Sequence, residues 1–239
     1  MNGTVATAQR VLRQLSHDRR SVAIVVVLPS ILLVLFRYVF DGSPVVFDRV
    51  GPQMLGIFPF VVMFLVTSVT MVRERTSGTL ERLMTTPLRR GELIAGYALA
   101  FGAAALVQAL VSSAVARSLG LGTGWAVVLL AVVDAILGTA LGLFFSAFAR
   151  TEFQAVQFMP AVVIPQLLLC GLIAPRERMA DVLDWISTVL PLTWATDAFT
   201  ESLTTSGMNA VMWRDLAILV GFVALAVAGA ALTLRRRTP

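Results

Sequence analysis

Residues 125–148 read WAVVLLAVVDAILGTALGLFFSAF, an apolar run whose one charge is Asp134. Strands usually end within about ten residues, whereas a helix needs about 20 apolar residues to cross roughly 30 Å of hydrocarbon. The run therefore reads as a transmembrane helix, closed by Arg150. Five more runs share its character, at 21–40, 54–72, 93–116, 155–174 and 216–234, the last stopped by Arg235, Arg236 and Arg237. Composition agrees: 57% of residues are hydrophobic, 14% are charged and the mean hydropathy is +0.84. Soluble domains carry about 25% charged residues. Six spans occupy about half of the chain. Residues 1–239 are therefore expected to form one all-α polytopic membrane domain with no separate soluble unit. The run at 21–40 reads as a signal anchor and not a cleaved leader, because about twenty residues precede it and no A-x-A site follows.

All 19 basic residues are arginine. Without lysine the chain can form neither a Walker A loop nor a Schiff base. The lone His17 precedes the first span, so no H-E-x-x-H metal site is present, and Cys170 has no partner for a disulfide within the chain. No cofactor is expected here. The net charge of +5 does not point to nucleic acid, because the arginines follow membrane topology. With a cytoplasmic N-terminus, the inner segments hold Arg10, Arg13, Arg19, Arg20, Arg73, Arg75, Arg82, Arg89, Arg90, Arg150 and the C-terminal three. The outer segments hold only Arg37, Arg49, Arg117, Arg176, Arg178 and Arg214. The positive-inside rule then places both termini in the cytoplasm. Val5, Ala8, Val11, Leu12 and Leu15 fall at helical spacing, so residues 4–20 are expected to lie in the headgroup layer as an interfacial helix.

The segment joining spans two and three reads RERTSGTLERLMTTPLRRGE over 73–92. Ser77 or Gly78 can cap a short helix there, and Pro87 ends it. Leu80, Leu83 and Met84 form one small apolar face ringed by charge. Two readings are open from the residues alone: a docking element for another protein, or a solvated loop whose leucines dip into the interface. The run from Glu74 through Leu83, with Thr86-Pro87 and Gly91 after it, closely resembles the cytoplasmic loop of ABC-2 type permeases, E-R-E-x-G-T-L-E-x-L followed by T-P. The sequence departs from that pattern at Thr76, where a glutamate is usual, which puts one ionic contact in doubt. A second segment, PQLLLCGLIAP at 165–175 running on to Leu190-Pro191-Leu192-Thr193, is similar to the same family's fifth span, exit and turn.

The resemblance implies a half-transporter: a permease paired with a second copy or a paralogue and with two ATPase subunits, which bind the ATP and Mg. It assigns the ATPase-coupling contact to Glu74, Gly78, Thr79, Leu80, Glu81, Arg82, Leu83, Met84, Pro87 and Arg89. It assigns the walls of a path between two permease copies to spans two and five, where Phe58, Phe60, Phe64, Phe158, Met159 and Gln166 are the candidates. Aromatic and methionine surfaces suit apolar substrates of variable shape. Glu74 is free to pair with Arg73, Arg75 or an arginine of the N-terminal helix. Within the membrane, Asp134 is expected to meet Gln108 across a helix hairpin, near Ser112, as a structural hydrogen bond. Gly138 and Gly142 form a small-x-x-x-small pair suited to close packing. Beyond span five, short helices are expected at 179–189 and 193–203. The resemblance makes them re-entrant, with Gly171, Pro175 and Pro191 at an outer gate. The expected role is export of a drug, lipid or lipid-linked glycan across a bacterial cell membrane, without a nucleotide site of the chain's own. The rivals are an ion-coupled secondary transporter, which should show inverted repeats and several buried charges, an intramembrane enzyme, and a non-transporting assembly factor.

Overall fold

A computed structural model describes residues 3–79, 90–205 and 207–233. Among them the chain forms nine α-helices and one 3-10 turn, without strands. In order these are α1 (Gly3–His17), α2 (Arg19–Val39), α3 (Pro44–Thr76), α4 (Arg90–Ser118), α5 (Trp125–Ser146) and α6 (Glu152–Leu169). The 3-10 turn (Arg176–Arg178) follows, then α7 (Asp181–Thr188), α8 (Pro191–Glu201) and α9 (Ala210–Thr233). Six of these, α2 to α6 and α9, are long and apolar enough to cross a membrane. That is the all-α, six-span architecture expected from the sequence.

Local chemistry sets the boundaries. Asp18 breaks the first two helices apart: its carboxylate accepts from the Arg20 and Ser21 amides and, at 2.7 Å, from the Ser21 hydroxyl. These bonds from Ser21 hold the Asp18 carboxyl below its usual range. The first helix therefore ends at His17 and not at 20. The second span differs most. At 33 residues α3 is about 50 Å long, and it starts ten positions before the expected 54. Gly51-Pro52, which precedes the expected span, lies inside the helix, and the Leu121 side chain fills the space where a Cβ on Gly51 would sit.

The interior is built on α3 and α5. Leu55, Phe60, Met63 and Phe64 of α3 are fully buried, as are Leu130, Ala131, Ala135 and Leu137 of α5. A Cβ on Gly138 would collide with the Phe60 carbonyl, and one on Gly142 would stand 2.6 Å from the Phe64 carbonyl. The two helices thus run parallel with their backbones in contact, which is the close packing expected of the glycine pair. On the outside, α2, α6 and α9 present Ile24, Ile31, Leu35, Phe153, Ile164, Leu168, Leu225 and Leu232. In water such faces would drive aggregation; against acyl chains they are simply solvated.

Helix parity puts α1 and the C-terminal end of α3 on one side, and α7 and α8 on the other. α1 packs along α4, with Thr7 against Gly96. α8 packs against α3, α5, α6 and α9, burying Leu192, Ala195, Ala198 and Phe199.

Candidate functional site

At the α1 side, the last turn of α3 carries three successive charges, Arg73, Glu74 and Arg75. Neighbours on a helix point about 100° apart, so each reaches a different part of the structure. Arg73 makes a bidentate ion pair with Glu152 at the start of α6, both contacts at 3.0 Å. Arg75 donates to the carbonyl of Ala147, the C-cap of α5, at 3.3 Å. Glu74 is buried and turns toward α1 and α4. It accepts from Tyr97 Oη at 2.9 Å, from Gln14 Nε2 at 2.9 Å and from Arg10 Nη2 at 3.4 Å. Arg10 also donates to Tyr97 Oη at 2.6 Å, with its guanidinium 5.7 Å from the Tyr97 ring centroid.

Of the partners foreseen for Glu74, the structure selects the N-terminal helix. Tyr97 and Gln14 were missed, because a single tyrosine in an apolar run carries no signal without a neighbour. Ser77 and Gly78, expected to cap the start of the loop helix, close α3 and directly precede Thr79, which is helical. Ser77 is the C-cap of α3, and Gly78 follows with φ +72°, a left-handed turn that suits glycine. Thr79 faces Ser77 with the two hydroxyls 3.0 Å apart. Leu80, Glu81, Arg82, Leu83, Met84, Pro87 and Arg89 lie outside the described residues.

Inside the membrane the expected bond between Asp134 and Gln108 does not form. Both residues are fully buried, and among the described residues neither side chain has a hydrogen-bond partner; the Ser112 hydroxyl is equally unpaired there. The reason is rotational. Asp134, Gly138 and Gly142 lie four apart on one face of α5, and that face meets α3, not α4. A Cβ on Gly56 of α3 would stand 2.8 Å from Asp134 Oδ2 and would collide with the Phe199 ring of α8. Asp134 is also not alone. Asp215 sits inside α9, fully buried, with Arg214 on Oδ1 at 2.7 Å and Oδ2 unpaired. A span expected to start at 216 had hidden it.

Three of the residues expected along a substrate path, Phe60, Phe64 and Gln166, are buried in this structure. Phe60 and Phe64 are fully enclosed in the α3–α5 core and offer no open wall. Gln166 is buried and accepts from the Leu192 amide at 3.3 Å, so it ties α6 to the first turn of α8. Phe58, Phe158 and Met159 remain partly exposed. At the far side Gly171 reverses the chain after α6 with φ +88°. Pro175 precedes the 3-10 turn and Pro191 opens α8. Arg176 holds this segment together, reaching Asp184 of α7 at 2.9 Å and Asp197 of α8 at 3.0 Å. Burial pushes the Asp197 carboxyl up, opposed by the Arg176 charge. Gln53 of α3 donates to Thr200 at 2.8 Å, a second tie from span two to α8.

This architecture is that of a polytopic membrane permease, with a cluster of charged contacts at the last turn of α3 on one side and the short helices α7 and α8 on the other. The chain belongs to the ABC-2 type transporter family, whose model matches residues 3–204. It is similar to the probable multidrug ABC transporter permease YbhR of Escherichia coli (strain K12), 25% identical over 199 residues, which cover 79% of this chain and 52% of that protein. The linearmycin resistance permease protein LnrN of Bacillus subtilis (strain 168) is 27% identical over 169 residues, 70% of this chain and 44% of that one. ABC transporter G family member 20 of Dictyostelium discoideum is 30% identical over 158 residues, 64% of this chain and 22% of that one. The chain thus spans about half or less of the length of these relatives.

Proposed function

We propose that the chain is the membrane-embedded permease of an ATP-driven exporter, energised by a separate ATPase that docks on the loop after α3. The observation that carries this reading is the root of that loop. Arg73, Glu74 and Arg75 fasten it to α6, to α1 and α4, and to α5. A push on the loop is then delivered to four helices at once, as conversion of ATPase closure into rearranged spans requires. The α1 side is cytoplasmic in this reading, in line with its arginine excess. The cargo is hydrophobic or amphipathic, a drug, a lipid or a lipid-linked glycan, and its path runs between two permease copies. The names of the multidrug and linearmycin-resistance relatives support that class.

The test is reconstitution of the chain with its partner ATPase, identified by co-purification. Leu83→Asp, in the loop, is expected to leave the amount of inserted permease unchanged while lowering substrate-stimulated ATP turnover at least about tenfold, equivalent to 1.4 kcal/mol or more of lost coupling. Transport by the chain alone, driven by an ion gradient, would overturn the reading.

A further inference from the structure

We propose that the elbow between α1 and α2 is a binding site for the phosphate of an anionic phospholipid. This goes beyond the transport reading and does not depend on it. Along α1 one flank packs on α4 through Thr7, Ala8 and Val11. Next to it Val5 and Leu12 are exposed, an apolar strip that protein does not cover. The third flank is a groove of about 410 Å³ lined, among the described residues, by Gln9, Arg10, Arg13 and His17 together with Ala6 and Gln14. A helix is about 10–12 Å across with its side chains, so one that lays Val5 and Leu12 on acyl chains holds this groove at headgroup depth.

The groove opens beside the elbow, and the two together present donors that the protein leaves unused. Arg13 in the groove, and Arg19 and Arg20 at the start of α2 just beyond it, are exposed and make no ion pair among the described residues. Arg10 Nε is buried without a partner, although Arg10 Nη2 serves Glu74. His17 Nδ1 donates to the Arg13 carbonyl at 2.7 Å, which holds the ring at the edge of the groove. The nearest carboxylate in sequence, Asp18, is engaged in capping α2. Four arginines within eleven positions at the start of a span, beside an apolar strip, are complementary to a phosphodiester that carries its own acyl chains. A free phosphate would leave Val5 and Leu12 uncovered.

The experiment uses the full chain in neutral detergent and measures affinity for dioctanoyl phosphatidylglycerol, dioctanoyl phosphatidylcholine and inorganic phosphate. Phosphatidylglycerol is expected to bind at least about tenfold more tightly than phosphatidylcholine. Arg13→Gln with Arg20→Gln should weaken it by about 25-fold, about fivefold for each arginine. Arg117→Gln with Arg178→Gln, a charge-matched pair at the far side, should change it less than about twofold. Equal binding of the two lipids, or equal loss in the two paired variants, overturns the assignment. Inorganic phosphate reproducing the effect overturns the lipid as ligand. Protection of Arg13 by the ATPase subunit, with no lipid discrimination, makes the groove a protein contact instead. If the Arg13/Arg20 variant fails to insert, the wild type decides: its phosphatidylglycerol affinity should fall steeply from about 50 mM to about 500 mM salt, and a flat response overturns the proposal.

Discussion

Glu74 shows how one residue concentrates the role of a segment. Its carboxylate satisfies donors from Arg10, Gln14 and Tyr97, and it lies out of water, where an unpaired partner is expensive. A double-mutant cycle between Arg10→Ala and Glu74→Ala is expected to return a coupling of about 0.5–3 kcal/mol by unfolding in detergent. Additive losses would make the contact incidental. Asp134 is the opposite case, an enclosed carboxylate with neither oxygen bonded among the described residues. Asp134→Asn removes a group whose charged form lipid and protein both disfavour. It should therefore not lower stability by more than about 1 kcal/mol, and transport should keep its pH dependence. Loss of that dependence would instead favour ion coupling.

At the scale of elements, the contact between α3 and α5 is governed by glycine. Gly138→Val puts a branched side chain where the Phe60 carbonyl lies, so the helices must part. The expected loss is about 1–3 kcal/mol, read as a lower unfolding midpoint. Gly102→Ala on α4 is the control, because nothing stands within 4 Å of the added Cβ. It should be neutral or slightly stabilising through helix propensity. The same geometry explains why the Asp134–Gln108 pairing was out of reach of sequence reading. Depth along two hydropathy segments can be counted, but the rotation of each helix about its own axis is fixed by what packs against it. The spacing of Asp134, Gly138 and Gly142 did contain the hint, since a residue four positions before a glycine pair shares the glycine face.

For the whole molecule, topology has a direct test, because the native Cys170 is buried and silent to aqueous reagents. Ser16→Cys and Thr204→Cys, both at exposed positions, should react with a membrane-impermeant maleimide from opposite sides of sealed vesicles. Labelling from the same side would refute the six-span count. That count, the all-helical class and the family were legible in the sequence, because hydrocarbon thickness imposes a length on every span and each span is locally encoded. The break at His17 and the long α3 were only partly legible, since Asp18 and Pro44 act through local capping chemistry while Gly51-Pro52 precedes the expected span. What tertiary structure alone decided is which side chains meet. It sent Arg73, Glu74 and Arg75 in three directions, enclosed Phe60 and Phe64, and turned Gln166 into a cap for α8. Hydropathy reports the transfer of a segment from water to lipid. Contacts between segments depend on rotation, tilt and close packing, and those exist only once the helices have assembled.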